Sequence, residues 1–357
     1  MIRRLIVATC LVATANVSPA QAPMRAPPRP LPRLVPSDSV ERHLRHVTQL
    51  TDGGENAESY FSHDGKWLTF QSTRDGRSCD QQYVMRLKDA KVTRISSGTG
   101  KTTCGFFFPG DQKLFFASTH AADTACAPKP DPSKGYVWRL DPFDIYTVGR
   151  DGTGLKRITN YGVYTAEGVL SPDGKRIVFT SLKDGDLDIY TMNVDGSNVK
   201  QLTTTPGYDG GPWWSPDGTQ IVYRAWHYAS DDTALVTYKS LLAQRLVRPN
   251  KMELWVMDAD GGNQRQITKL GGANFGPSWA PGGTQLIFAS NYQNPRSGNF
   301  DLYLINLDGS GLEQITHNKD FDGFPMFSPD GKKLVWASNR HDNQPGETNL
   351  FVAEWVP

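Results

Sequence analysis

The chain has 357 residues, with 38 Lys and Arg against 37 Asp and Glu, so its formal net charge at pH 7 is +1. This balance offers neither a basic footprint for nucleic acid nor a polybasic patch for a membrane surface. The 34 glycines, 24 prolines and 11% aromatic residues suit many short strands joined by turns, and no long helical pattern dominates.

Residues 1–22 have the pattern of a secretory signal peptide: a basic start, a short apolar run, and small residues at Ala20 and Ala22. The run is too short and wrongly flanked for a membrane span. We expect cleavage near Ala22 and a periplasmic or secreted mature protein with no transmembrane segment. Residues 23–42 begin with the proline-rich run PMRAPPRPLPRLVP, which predicts an extended tether.

From residue 43 to residue 357 the sequence repeats three short phrases. An opening phrase of the type SPDGKRIVFTS occurs at 62–72, 108–118, 171–181, 215–225, 280–290 and 328–338. A middle phrase of the type DIYTMN occurs at 82–87, 144–149, 188–193, 253–258, 301–306 and 349–354. A closing phrase of the type KQLT occurs at 93–96, 156–159, 200–203, 265–268 and 313–316. Internal repetition of this kind is the signature of a repeat architecture.

Each set of phrases predicts one four-stranded unit. The β-branched and aromatic residues favour short strands, and SPDGK and VDGSN favour tight turns between them. A further short strand precedes each SPDG. A four-stranded antiparallel blade cannot bury both of its faces alone, so we predict an all-β, six-bladed β-propeller.

The closing phrase is missing after the last middle phrase, and its sixth copy stands at the other end of the chain, at 48–51. We therefore predict that the N-terminal strand forms the outer strand of the final blade and closes the ring. Truncation at either terminus should then open the ring.

The unequal spacing of the opening phrases predicts insertions at 119–143 and 226–251, between the second and third strands of blades 2 and 4. Because strand direction alternates within a blade, both insertions lie over the end of the channel where the innermost strands begin. The second insertion predicts a helix with Ser230 or Asp231 as its N-cap and a stop at Arg248. It is either a loop packed on the propeller or a partial lid.

Polar residues of the repeat converge on the same end of the channel. Positions six and four residues before the opening phrases predict a ring of channel-lining side chains: Glu58, Glu167, Asp209, Asn274 and Asp322. Positions just after the second strands predict a rim: Arg74, His120, His227 and Arg340. These nine residues are the candidate ligand- or partner-binding site. The alternative is a purely structural role, in which the channel Asp and Asn side chains only cap backbone groups and hold water.

The same candidate residues also bear on metal binding and catalysis. His120 and His227 with Asp209 or Asp322 have the donor types of a metal site. The two histidines come from blades that are not adjacent, and no ligand pair shares local spacing, so we predict no metal site and no cofactor. No nucleophile, base and orienting acid stand together, and we assign no catalytic residue, although a triad need not be local.

Three cysteines follow the predicted signal peptide: Cys79, Cys104 and Cys126. An exported protein permits disulfides, and an odd number leaves one thiol over with three possible pairings. We expect one structural bridge and leave its partners open.

The run SPDGKRIVFTS, GDLDIYTMNVDGS and KQLT resembles the repeats of the TolB-type β-propellers, which are periplasmic proteins of the bacterial cell envelope. The resemblance covers about residues 46–357. It implies the six-bladed fold and a role in binding, since the TolB propeller binds a peptidoglycan-associated lipoprotein. The α/β domain that precedes that propeller is not expected here. Some metal-dependent pectate-fragment lyases look similar in architecture.

We therefore expect an exported propeller that acts as a non-enzymatic binding or protein-interaction module of the cell envelope through its channel face. Its partner would be an envelope protein or a small ligand. The alternative is a hydrolase or lyase that acts on a polysaccharide or peptide at the same channel mouth.

Overall fold

The computed structural model describes residues 30–36, 38–342, 344 and 346–357, and the predicted signal peptide lies outside them. The described residues form six antiparallel blades. The innermost strand of each blade contacts the innermost strand of the next, and that of the sixth contacts that of the first. This confirms the predicted six-bladed propeller.

The strands of the six blades follow the repeat. The innermost strands are Asn56–Phe61, Thr102–Phe107, Thr165–Leu170, Gly207–Trp214, Asn274–Trp279 and Asp322–Phe327. The second strands are Trp67–Ser72, Lys113–Ser118, Arg176–Ser181, Gln220–His227, Gln285–Ser290 and Lys333–Ser338. The third strands are Gln81–Arg86, Asp144–Gly149, Asp188–Asn193, Glu253–Asp258, Asp301–Asn306 and Asn349–Trp355. The outer strands of blades 1 to 5 are Lys91–Arg94, Lys156–Arg157, Lys200–Gln201, Arg265–Gln266 and Glu313–Gln314.

The ring is closed by the N-terminal part of the chain, as predicted. The outer strand of blade 6 is Leu44–Gln49, which pairs antiparallel with Asn349–Trp355. Val47 on this strand is only 1% exposed and belongs to a core cluster shared with blades 5 and 6. A further two-residue strand, Arg33–Leu34, pairs with the outside of Leu44–Gln49.

A repeated hydrogen bond explains the Thr or Ser that ends each closing phrase. In blade 3, the Thr203 hydroxyl donates to Asp188 at 3.1 Å and accepts from the Ile189 N–H at 2.9 Å. The same tie across the ring closure joins Thr51 to Asn349 at 3.0 Å. The other blades use the pairs Ser96 with Gln81, Thr159 with Asp144, Thr268 with Glu253, and Thr316 with Asp301. The polar residue at the start of the third strand, an acid in four blades and an amide in two, therefore anchors the end of the outer strand.

The core lies between neighbouring blades and consists mainly of aromatic and branched side chains. Its largest fully buried members include Trp336, Tyr83, Tyr190, Tyr223, Tyr303, Phe70 and Phe107. Complete burial of such a side chain contributes roughly 1.5–3 kcal/mol. Because each side chain packs against the next blade, no blade has a complete core of its own.

The two insertions pack against each other. Trp138–Arg139 of the first pairs with Leu246–Val247 of the second in a small antiparallel sheet. The first insertion also contains a 3-10 turn, Pro132–Lys134. Side chains from both insertions pack with Leu187 and Tyr208 at the junction of blades 3 and 4. We call residues 132–140 and 233–247 together the cap.

The helix of the second insertion is shorter than the sequence pattern predicted. It spans Thr233–Leu242, and the Asp232 side chain caps it by accepting from the Ala234 N–H at 2.7 Å. The predicted N-cap at Ser230 or Asp231 was therefore too early by one or two residues, and the predicted stop at Arg248 was too late. The helix ends sooner because Leu246 pairs with Arg139 in the small sheet.

The disulfide joins Cys79 to Cys126, which leaves Cys104 as a buried free thiol among the described residues. The bridge ties the loop between the second and third strands of blade 1 to the insertion of blade 2. The expected single bridge is confirmed, and its partners are now assigned.

Candidate functional site

The propeller has two different ends. The innermost strands begin at the end that carries the cap, which we call the insertion face. They finish at the end that carries the SPDG turns, which we call the turn face.

Each innermost strand carries a β-bulge at its third or equivalent residue. The pairing register shifts there in the innermost strands of all six blades. The bulged residues have positive φ angles between 50° and 58° and form a ring, the neck ring: Glu58, Cys104, Glu167, Gly211, Gly276 and Phe324. Glycine adopts this conformation without steric cost, whereas other residues are strained by about 1 kcal/mol or more. Four of the six blades nevertheless keep a side chain at this position.

The neck ring surrounds a cavity of about 40 Å³ on the channel axis. The Cys104 thiol donates to Glu58 Oε2 at 2.7 Å, and the Thr103 hydroxyl lies 3.3 Å from the same oxygen. On the other side, Glu167 forms an ion pair with Arg224, and its Oε2 accepts from the Gly211 N–H at 2.8 Å. This volume suffices for ordered water, because one water needs roughly 10–15 Å³ measured in this way.

Burial dominates the electrostatics of the neck. Burial raises the pKa of the Glu58 carboxyl, and the nearby Glu167 carboxylate adds to the effect, whereas Cys104 opposes it. Burial also raises the pKa of the Cys104 thiol well above its ordinary value. For Arg224, burial lowers the pKa, but the adjacent Glu167 and Tyr208 outweigh this and keep the guanidinium charged. The neck thus holds the Glu167–Arg224 ion pair beside the Glu58 carboxyl, whose pKa is raised.

Three aromatic side chains close the channel beneath the neck. Tyr60 stacks on Phe106 with ring centroids 4.6 Å apart, and Trp213 meets both edge-on at 5.2 and 5.1 Å. These residues come from blades 1, 2 and 4. The plug separates the insertion face from the turn face, so the two ends of the channel are distinct surfaces.

The cap covers part of the channel mouth above the neck. The Trp138 ring lies 5.4 Å from the Arg224 guanidinium carbon, and it meets Phe275 of blade 5 edge-on at 6.5 Å. Tyr238 anchors the cap helix by donating to Asp186 at 2.5 Å. The insertions therefore form a partial lid over blades 3 and 4.

The uncovered part of the mouth has two unlike sides. On the side of blades 1 and 2, a polar strip leads from Asp80 through Gln71 and Thr103 to the neck. Burial raises the pKa of Asp80 to about 7. On the side of blades 5 and 6 lie three half-buried aromatic residues: Phe300, Phe321 and Phe324.

The nine predicted site residues lie in different environments. Glu58 and Glu167 line the neck cavity. Three others begin or nearly begin innermost strands and are fully buried: Asp209, Asn274 and Asp322. Asp209 lies 2.8 Å from His227 Nε2, and Asp322 accepts from Arg340 at 2.9 Å. Arg340 also donates twice to Glu41 at 2.9 Å. Asn274 is engaged in the same way, since it accepts from the Ser290 hydroxyl at 2.6 Å.

The predicted rim residues share one structural position. Each ends or follows a second strand and covers an aromatic ring of the third strand, as seen for Arg74 over Tyr83, His120 over Tyr146, His227 over Trp255, and Arg340 over Phe351. Lys183 over Tyr190 and Tyr292 over Tyr303 complete the set in blades 3 and 5. Burial lowers the pKa of His120, and the neighbouring Arg157 lowers it further.

The nine predicted site residues do not include Cys104 and Arg224 of the neck or Trp138 of the mouth. Two of them carry a signal in the repeat alignment. Cys104 stands four residues before its opening phrase, as Glu58 and Glu167 do. Arg224 occupies a position that is neutral in the other five copies. Trp138 lies in an insertion, where no repeat indicates its direction.

Within residues 30–357, so far as they are described, no group of three or more His, Cys, Asp or Glu side chains is arranged to hold a metal ion. In the same part of the chain, no helix has both the length and the apolar character needed to cross a membrane.

Comparisons with known proteins agree with this architecture. A family model described as the TolB beta propeller domain matches residues 130–238 and 228–353. A protein assigned as TolB from Agrobacterium tumefaciens has a similar structure, with a TM-score of 0.56 and 18% identity over 85% of this chain and 91% of that one. No curated protein sequence is significantly similar.

Two enzymes of other kinds share the fold. A gluconolactonase from Xanthomonas campestris has a TM-score of 0.57 and 13% identity over 91% of this chain and 95% of that one. An oligogalacturonate lyase from Vibrio parahaemolyticus has a TM-score of 0.51 and 14% identity over 87% and 93% of the two chains. At such identities the likeness concerns the fold alone, because one fold hosts many functions.

Proposed function

The chain belongs to the TolB β-propeller family, and on that premise we propose that it is a non-enzymatic binding module of the cell envelope. Its ligand or protein partner binds at the insertion face and presents a positively charged group to the neck. The predicted signal peptide and the Cys79–Cys126 disulfide support an exported protein, because disulfides persist in oxidising compartments.

The observation that carries this proposal is the strained backbone of Glu58. Its φ angle is 50°, whereas blades 4 and 5 place glycine at the same position. A strained residue persists where the surrounding structure fixes it, and such residues cluster at functional sites. The retained carboxyl group is therefore the feature that the neck is built to present.

The Glu58 carboxyl, which has no direct ion-pair partner among the described residues, favours a cationic ligand group. Within the described residues, the hydrogen bonds to the Glu58 carboxyl all reach Oε2, which leaves Oε1 free to accept from a ligand. The single guanidinium of Arg224 already pairs with Glu167. An ammonium or guanidinium group would give Glu58 the opposite charge that it lacks and would favour its ionised form.

The same geometry argues against nucleophilic catalysis at the neck. Cys104 is the nearest nucleophile, and the thiolate, not the thiol, is the reactive form. Burial and the adjacent Glu58 both raise the pKa of this thiol. The contact between the two side chains therefore positions Glu58 and does not activate Cys104.

The test is affinity capture from envelope extract with residues 23–357, followed by identification of the captured proteins. Glu58→Gln removes the ionisable carboxyl of Glu58 from the neck, and Glu55→Gln removes an exposed carboxylate at the rim as a matched control. We expect a partner that the wild-type protein and Glu55→Gln retain and that Glu58→Gln loses. Equal capture by all three proteins, with folding confirmed by circular dichroism, would contradict the proposal.

A further inference from the structure

The turn face carries a second cavity, of about 560 Å³, on the other side of the aromatic plug. We call it the turn-face funnel. The last residue of each innermost strand lies in its wall: Phe61, Phe107, Leu170, Trp214, Trp279 and Phe327. Trp213 and Met326 are half-exposed within it. The volume lies in the range of roughly 300–1,000 Å³ typical of ligand pockets, so it suits a short segment and not a globular surface.

The rim of the funnel is rigid because neighbouring turns lock together. A Cβ placed on Gly174 would lie 2.7 Å from Pro109 of the preceding blade, and one on Gly331 would lie 3.0 Å from Pro281. At the next turns, Pro172, Pro216 and Pro329 would lie in ordinary van der Waals contact with such a Cβ, at 3.5, 3.7 and 3.9 Å. A preformed site loses little conformational freedom when a ligand binds.

The one exception in this rim is polar and internally satisfied. In blade 1, His63 replaces the proline, and the backbone N–H of His63 donates to Asp111 Oδ1 at 2.9 Å. The Asp64 N–H donates to the other oxygen at 2.9 Å. The junction of blades 1 and 2 is therefore held as firmly as the proline junctions.

The funnel wall is almost free of charge. Asp330 is its only carboxylate among the described residues, and it is engaged by the Ser328 hydroxyl at 2.6 Å and the Lys332 N–H at 3.1 Å. Both bonds reach Oδ1, and Asp330 lies in an exposed turn, so only a cationic group at the rim would find a partner there. A charged group placed against the aromatic wall itself would lose its hydration without a partner, which is costly. The part of the occupant that contacts the wall is therefore uncharged.

One polar group in the wall lacks a partner. Trp214 is 3% exposed and lines the funnel, and its indole N–H has no acceptor among the described residues. An extended polyproline-type segment has no internal hydrogen bonds, so its carbonyl groups are available as acceptors. Grooves lined by aromatic residues recognise such segments through their stiff, low-entropy conformation.

We propose that the turn-face funnel binds an uncharged, proline-containing extended peptide segment of a partner protein. This site is separate from the neck, since the plug of Tyr60, Phe106 and Trp213 divides the channel. The protein then has one binding surface at each end, with a cationic ligand group at one and a neutral peptide at the other.

The probe is a hexaproline peptide, acetylated and amidated so that it carries no charge, titrated into residues 23–357 and followed by tryptophan fluorescence and calorimetry. Pro216→Glu with Pro281→Glu places two carboxylates at the exposed rim. Thr93→Glu with Leu155→Glu adds the same charge at exposed sites outside the funnel. Trp214→Phe keeps an aromatic wall and removes the N–H, which provides a second variant if the rim variant does not fold.

We expect saturable binding with a dissociation constant below about 1 mM. The rim variant and Trp214→Phe should each weaken it about tenfold or more, whereas the control variant and Glu58→Gln leave it unchanged. Absence of saturable binding to the wild-type protein, equal weakening in the control, or preferential binding of neutral maltohexaose or a nonionic detergent would overturn the proposal.

Discussion

Cys104 and Glu58 occupy the same position in neighbouring blades, and the thiol of the first donates to the carboxyl of the second at 2.7 Å. Both residues lie in β-bulges with positive φ angles. The bulge turns their side chains toward the axis and toward each other. Several testable properties of the channel depend on this contact.

The first prediction concerns the pH dependence of stability. The folded protein raises the pKa of Glu58 above its ordinary value of 4.5, chiefly through burial. The folded state then binds this proton more tightly than the unfolded state does. The free energy of unfolding should therefore fall as pH rises from about 4.5 through the raised value.

Glu58→Gln cannot ionise, so this part of the decline should disappear and the variant should gain stability relative to the wild type toward neutral pH. Urea unfolding across the pH range measures the difference. Glu55→Gln changes an exposed residue directly before the same strand. This variant should keep the wild-type dependence of the unfolding free energy on pH. Identical slopes for the wild type and Glu58→Gln would show that the carboxyl is not desolvated.

The second prediction concerns the cap. Trp138 is half-buried and covers Arg224 and Phe275. Trp138→Ala should lower the free energy of unfolding by about 2 kcal/mol, below the roughly 3–5 kcal/mol typical of a fully buried tryptophan. It should also speed the reaction of Cys104 with thiol reagents several-fold, because the mouth is less covered.

Tyr136→Phe is the control for this experiment. Tyr136 is 74% exposed and touches Trp138 only through its hydroxyl, which accepts from the indole N–H at 3.0 Å. The rate at which thiol reagents label Cys104 in Tyr136→Phe should match the rate in the wild type. If Trp138→Ala also labels at the wild-type rate, Trp138 does not guard the neck.

The third prediction concerns the disulfide between Cys79 and Cys126, which are 47 residues apart. Cys79→Ser with Cys126→Ser should cost roughly 2–4 kcal/mol, because the bridge restricts the unfolded chain. Thermal unfolding of the wild type should shift downward in a reductant, whereas the double variant should be insensitive to it. A wild-type protein that does not respond to full reduction would contradict the predicted stabilisation.

The fourth prediction concerns closure of the ring. A chain of residues 43–357 keeps the strand Leu44–Gln49, whereas a chain of residues 50–357 lacks it. The shorter chain loses the buried side chains of Leu44 and Val47, worth together roughly 3–6 kcal/mol. It should unfold at lower denaturant concentration and with less cooperativity. Equal unfolding curves would mean that the strand does not hold the ring closed.

The fold was predictable because it depends on repetition. Six copies of the same strands and turns specify six blades, and the displaced closing phrase at 48–51 indicates which strand completes the last one. The cysteine partners were not predictable, since the approach of Cys79 to Cys126 depends on the path of an insertion that has no repeat.

The candidate site was predictable only in part, because its geometry departs from a regular strand. Simple alternation puts Asn56 and Glu58 on one side of the strand. The bulge breaks this alternation, so that Asn56 is buried against Ser72 while Glu58 lines the neck. A bulge adds one residue to a strand, and its location is not visible in the order of polar and apolar residues.

Hydrogen exchange with and without the captured partner tests most directly whether the insertion face is the binding surface. Binding there should slow amide exchange in residues 56–60, 102–106 and 134–140, which border the neck and the cap, and Glu58→Gln should abolish the protection. Protection confined to the turns at 62–66, 171–175 and 215–219 would contradict the assignment of this partner to the insertion face.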